Sequence, residues 1–186
     1  RNHIITGRHI LKIDQSNEKI KLTFENDEIS EYDLLVISDG VFSKTKSLIF
    51  HNGVKPKYND TLAIRGSLNK IPNHINDKNI SLFLSPNFHY VVYPINQNGS
   101  FNFIAIMKYK MSFEEQKNFS LFSKDKFMKD ILKKTPPLIE ELINNLQSVR
   151  IFPVFVSDRF YRSQNKNIHL IGDAFFAFPP SFAQGA

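Results

Sequence analysis

The stretch HLIGDAFFAFPPSFAQGA, residues 169–186, reads as a buried strand running into a turn at Gly172-Asp173, followed by a double proline and a string of small residues. In an open α/β sheet, ligands bind beyond the carboxyl ends of the strands, where loops can be polar while the sheet stays dry. A carboxylate at such a point is placed to accept hydrogen bonds from ribose- or ribityl-type hydroxyls. Pro179 and Pro180, with Ser181 to Ala186 after them, suit the start of a helix, whose free N–H groups favour an anionic ligand.

A second stretch has the same shape. YDLLVISDG, residues 32–40, is an apolar run closed by Asp39-Gly40, which predicts a fully buried strand ending in a turn. Asp-Gly is a common turn dipeptide, so one such pair carries little. One Asp-Gly and one Gly-Asp pair, each closing a strongly apolar strand, carry more than either alone.

Around these turns the pattern is mixed. EKIKLTFEND places Ile20, Leu22 and Phe24 on one face of a strand and Lys19, Lys21 and Thr23 on the other, and it is expected to pair with HIITGRHILKID through a turn at QSNE. From about Thr61 to Met107 the chain is strand-like, with HYVVYPI and FNFIAIM the best segments and Asn/Pro/Gly turns between them. Helical period follows. Ser112 and Glu115 form a capping box, Ser123 is the expected cap of a helix holding Phe127, Ile131 and Leu132, and Thr135 the expected cap of one whose stripe is Leu138, Ile139, Leu142, Ile143 and Leu146. SVRIFPVFVSD returns to strand. The aromatic residues Phe83, Phe88, Tyr90, Tyr93, Phe101 and Phe103 fit either the buried face of a sheet or the lining of a substrate pocket.

Composition limits the function classes. The chain has 186 residues, 41% of them hydrophobic, enough for one sizeable core or two small domains, and the order of its segments reads as one mixed α/β body from which a middle segment projects. It contains no cysteine, which removes disulfides and thiolate metal sites and fits a reducing, cytoplasmic setting; the six histidines show no ligand spacing, so no metal is expected. No run of 18 apolar residues suggests a transmembrane segment. The net charge of +6 comes from dispersed lysines in a chain rich in Lys, Asn, Ile and Phe, the residue bias of an A/T-rich genome, so nucleic acid is not an expected partner. No P-loop, G-x-S-x-G elbow or cysteine nucleophile is present, and the sequons at Asn98 and Asn118 are expected by chance in an Asn-rich chain.

The two turns, taken with their flanks, resemble a known family. YDLLVISDGVFSKTKSLIF is similar to the Asp-Gly motif, and HLIGDAFFAFPPSFAQGA to the Gly-Asp motif, of the class A FAD-dependent monooxygenases: flavoprotein aromatic hydroxylases of the para-hydroxybenzoate, salicylate and ubiquinone-biosynthesis type. LAIRG and VVYPINQNGSFNFI also resemble the middle of that family. The resemblance implies a partial FAD/NAD(P)-binding three-layer domain with an inserted substrate domain. Residues 1–58 and 151–186 would belong to the former and residues 59–150 to the latter.

By the same resemblance, Asp39 and Gly40 would contact FAD and take part in handling NAD(P)H, and Gly172 and Asp173 would bind the ribityl chain. Pro179, Gln184, Gly185 and Ala186 would lie beside the isoalloxazine ring, where a helix N-terminus would stabilise the negative charge of the reduced flavin. The implied activity is an NAD(P)H-using monooxygenase: oxygen forms a flavin hydroperoxide, which hydroxylates an aromatic or polyprenyl-aromatic small molecule. No catalytic residue is assigned. Another flavoprotein oxidoreductase or a halogenase-like relative is the alternative within this fold, and a basic, non-catalytic binding module is the alternative outside it.

The chain departs from the motifs at named positions. Ile37 and Ser38 stand where glycine and alanine are usual, Lys46 replaces a planar arginine with a point charge, Phe175 and Phe176 replace a small residue and a histidine, and Ala183 replaces a glycine. The two phenylalanines fit either packing or an apolar substrate. The G-x-G-x-x-G fingerprint that seats the FAD pyrophosphate is absent. That segment is therefore expected upstream of Arg1, the rest of the last helix downstream of Ala186, and the 186 residues alone are expected to be inactive and to bind FAD weakly.

Overall fold

The computed structural model describes residues 4–15, 18–50, 54–73, 75–95, 99–134 and 140–180. The chain divides into two compact units, Arg1–Lys57 with Phe155–Ala186, and Tyr58–Val154.

The first unit begins with an antiparallel meander of β1 (Ile10–Asp14), β2 (Ile20–Phe24) and β3 (Ile29–Tyr32). Its central strand keeps the expected alternation: Ile20, Leu22 and Phe24 are buried while Lys21 is exposed, and Ile13 pairs with Leu22. The hairpin is as expected, and β3 extends it by one strand. Next come β4 (Leu35–Ile37) and the short helix α1 (Lys44–Ile49).

The second unit is built on a five-stranded sheet. Its members are β5 (Lys57–Leu68), β6 (Ser81–Phe83), β7 (Phe88–Pro94), β8 (Phe101–Lys108) and β9 (Gln147–Val156), in the order β6-β7-β8-β5-β9. β9 lies at an edge, where Pro153 costs no central ladder hydrogen bond. One sheet face is apolar throughout, with Leu62, Ile64, Val92, Phe103 and Ala105 buried against Phe122, Ile131 and Leu142 of the helical segment. Phe88, Tyr90, Phe101 and Phe103 all belong to this core, Phe83 packs against it, and Tyr93 sits half-buried with its hydroxyl accepting from Asn102 Nδ2 at 2.7 Å. Packing is thus the role of five of the six aromatic residues weighed above.

The helical segment holds α2 (Phe113–Lys117), a 3-10 turn (Phe119–Ser123), α3 (Asp125–Leu132) and α4 (Glu140–Asn144). The Ser112–Glu115 capping box forms in both directions. Ser123 does not cap α3: the cap position is Lys124, and the Ser123 hydroxyl instead closes the preceding 3-10 turn on Ser120 O at 2.7 Å. The shift arises because local hydroxyl-to-backbone bonds compete with helix capping. Thr135 to Ile139 lie outside the described residues; of the stripe beyond them, Leu142 is buried and Ile143 and Leu146 pack on the same core.

The chain returns to the first unit through β10 (Ile168–Leu170), which pairs in parallel with β4, Leu35 with Ile168 and Ile37 with Leu170. The one-turn helix α5 (Gly172–Phe175) follows directly. Ile37, Ile168 and Leu170 are buried with the meander residues, whereas Leu34 and Val36 are 55% and 47% exposed and His169 and Ile171 are open as well. The expectation that β4 and β10 are buried on both faces is therefore corrected. Among the described residues only one face of this two-stranded parallel pair carries a covering layer. No helix among the described residues is long and apolar enough to cross a membrane.

Candidate functional site

The parallel pairing of β4 with β10 brings the two turns side by side. Ile37 O accepts from Ile171 N at 3.0 Å, so Asp39-Gly40 and Gly172-Asp173 leave adjoining strand ends. Gly40 has φ +84° and Gly172 φ +55°, both in the left-handed region that glycine enters without penalty. A Cβ built at either glycine would meet nothing within 4 Å. The glycines are thus set by backbone conformation, and the space beside them is open.

Asp39 is exposed, and its Oδ2 accepts from the Thr45 N–H at 3.2 Å. Ser43 Oγ accepts from Lys46 N at 2.8 Å, while Ser43 N donates to Gly40 O at 3.1 Å. The Asp-Gly turn is therefore folded onto the start of α1 by two side-chain caps. Asp173 is also exposed, in the first turn of α5, where the sequence suggested only a turn. Pro179 is half-buried; Gln184, Gly185 and Ala186 lie outside the described residues.

Sequence reasoning missed the group beneath these turns. Lys46 is only 2% exposed, and its Nζ lies 4.3 Å from the centre of the Tyr161 ring. Tyr161, itself buried, donates its hydroxyl to Asp158 Oδ1 at 2.6 Å, and its backbone N donates to Phe175 O at 3.1 Å. Burial pulls the Lys46 ammonium below the usual lysine range, against the opposing attraction of Asp39, Asp158 and Asp173. Burial and the bond to Asp158 push the Tyr161 phenol up, and that same bond holds the Asp158 carboxyl down. The sequence showed Lys46 only as a replacement for arginine; nothing local marks it as buried.

The run after Asp173 is held from both sides. Ser157 N donates to Ala177 O at 3.1 Å, and Ala177 N donates to Ser157 Oγ at 3.0 Å. Phe175 packs on the core of the first unit. Phe160 lies against both phenylalanines of the departed motif, its ring centroid 5.4 Å from that of Phe175 and 4.4 Å from that of Phe176, and Phe176 meets Phe178 edge-on at 4.5 Å. Packing explains Phe175. Phe176 belongs to an aromatic cluster whose outer member, Phe160, is 59% exposed.

The arrangement fits a polyhydroxyl ligand: two exposed carboxylate acceptors at adjoining strand ends, with open glycine backbone beside each. No cluster of three His, Asp or Glu residues among those described is disposed to hold a metal.

No protein-family model and no curated protein matches the sequence. Solved structures match the fold. A variant of Klebsiella pneumoniae HpxO complexed with FAD superposes with a TM-score of 0.77 at 16% identity, over 96% of this chain and 46% of that one. A salicylate hydroxylase substrate complex gives 0.74 at 17% identity, over 96% and 48%. The 2,6-dihydroxypyridine-3-hydroxylase from Arthrobacter nicotinovorans gives 0.72 at 16%, over 96% and 51%. The chain spans about half the length of these structures. Its mixed α/β fold is that of the corresponding part of the flavoprotein hydroxylases.

Proposed function

We propose that this chain contributes the Asp-Gly and Gly-Asp turns of an FAD-dependent, NAD(P)H-using monooxygenase that hydroxylates an aromatic or polyprenyl-aromatic small molecule. The observation that carries this reading is the pair of exposed carboxylates on the adjoining ends of β4 and β10, within a fold shared with FAD-complexed hydroxylases. The unit containing both turns is read as part of the FAD-binding domain, and the sheet of Tyr58–Val154 as the substrate domain.

In this reading Asp173 accepts hydrogen bonds from the ribityl hydroxyls, and Asp39 holds the first turn against α1 with Gly40 beside the cofactor. Pro179, with Gln184, Gly185 and Ala186, borders the ring. Bound FAD supplies the redox chemistry: NAD(P)H, a proton, oxygen and the aromatic substrate yield NAD(P)+, water and the hydroxylated product. The protein's part is to orient the cofactor through acceptors held at the strand ends.

The test is direct. The full-length protein, purified and incubated with FAD, is expected to show flavin absorbance and to oxidise NADH or NADPH faster when a cognate aromatic compound is present. A protein that neither carries nor takes up flavin would overturn the reading.

A further inference from the structure

We propose that Lys46 is a positioning residue that ties the Asp39 turn to the Asp173 turn: its buried ammonium is laid on Tyr161, which is itself bonded to the end of α5, while Asp39 caps the helix that carries it. The proposal rests on reading this place as an FAD site. It goes beyond that reading by assigning a role to a residue that contacts the two acceptor turns through their own scaffolding.

The geometry forms a continuous chain. Asp39 Oδ2 holds Thr45 N, the next residue is Lys46, Lys46 Nζ sits on the Tyr161 ring, and Tyr161 N holds Phe175 O, three residues from Gly172. Charged groups from every segment in this chain act on the ammonium: Asp39 ahead of α1, Asp158 beside Tyr161, and Asp173 in α5. Arg159 lies over the same Tyr161 ring, its guanidinium carbon 5.3 Å from the centre.

The energetics separate this role from simple packing. Desolvation of Lys46 outweighs its attraction to the three carboxylates, so the charge is held at a cost to the fold. A buried charge of that kind adds nothing to stability that an apolar side chain of similar length would not supply. Its benefit is to keep two neighbouring carboxylate turns in one register, which is what a ligand that donates its hydroxyls to such acceptors requires.

The experiment uses the full-length protein, with FAD as the probe. Lys46→Met is expected to leave the melting temperature of the FAD-free protein unchanged or raised, and to weaken FAD binding by about tenfold. Lys46→Arg, which keeps a charge at every accessible pH, is expected to restore most of that affinity. Wild-type affinity is expected to fall at alkaline pH as Lys46 loses its proton, and both variants are expected to lack that limb; a limb shared by all three belongs to the flavin. Wild-type affinity and pH profile in Lys46→Met would overturn the proposal, as would a melting loss that accounts for the whole loss of binding. A wild-type protein that takes up no flavin would instead overturn the functional reading beneath it.

Discussion

Replacing Tyr90 with phenylalanine is expected to stabilise the strand-rich unit. Tyr90 is 3% exposed in the centre of the sheet's packed face, stacked on Phe83 at 4.4 Å and 10° and lying 5.8 Å from Phe103. Its hydroxyl has no hydrogen-bond partner among the described residues, and burial pushes its pKa up to about 12, so the phenol is neutral across the working range. An unsatisfied buried hydroxyl forfeits its hydration, a penalty of roughly 1–3 kcal/mol. Phenylalanine removes that penalty while keeping the ring and both stacks. Allowing for slight relaxation around the lost oxygen, the net gain is about 1 kcal/mol, which for a chain of this length raises the melting temperature by about 2–4 °C. Tyr90→Leu, which loses the stacking, is expected to fall by about 2 kcal/mol. Thermal melts followed by circular dichroism, with urea titrations to check the slope, read both. A lower melting temperature for Tyr90→Phe would refute the reasoning, because it would mean the hydroxyl has a partner that stabilises the fold. Unchanged stability together with weakened substrate binding would instead move Tyr90 from the core to the pocket.

Gly40→Ala is expected to cost about 1–2 kcal/mol from its φ of +84° alone, since its Cβ meets open space, and a melt that does not move would show that the turn can re-form. Asp173→Asn is expected to weaken FAD binding in the full-length protein with little change in melting, because the carboxylate is exposed; equal binding by titration would remove Asp173 from the site. The Glu115 carboxyl is pushed up by burial but held below its ordinary 4.5 by the Tyr109 hydroxyl, the Ser112 N–H and hydroxyl, and Lys134. Its contribution to stability is accordingly full above pH 4.5 and lost as pH falls through its lowered value. Glu115→Gln should flatten that acid limb in urea titrations run at successive pH values, and an unchanged limb would assign it to other carboxylates.

How much of this was legible in sequence depends on the range of the interaction. The alternation of Ile20, Leu22 and Phe24 and the Ser112–Glu115 box are written within a few residues, and both form as expected. That each acidic turn closes an apolar strand was legible; that the two strands are parallel neighbours was not, because their pairing joins segments more than 130 residues apart. The exposure of Val36 was not legible, because an apolar run states that a strand can be covered on both faces and not that it is. Ser123 failed as a cap because Ser120 O, three residues back, offered its hydroxyl a closer partner. The burial of Lys46 was not legible, for a different reason. Its ring partner, Tyr161, lies 115 positions away in the chain, and no local period encodes a lysine's partner at that separation.

The edges of the five-stranded sheet bear on how this chain behaves when concentrated. It contains 18 phenylalanines, and β7 and β8, FHYVVYP and FNFIAIMK, are the kind of β-prone, weakly charged segments that assemble into fibrils when left bare. Both are kept inside the sheet. On one side stands β6, only three residues long; on the other stands β9, an edge strand that carries Pro153. A short edge and a proline-bearing edge offer a poor template to another copy. Replacing Pro153 with valine or threonine would therefore be expected to leave the fold in place and to make the protein prone to edge-to-edge aggregation, so that this proline acts as a solubility device.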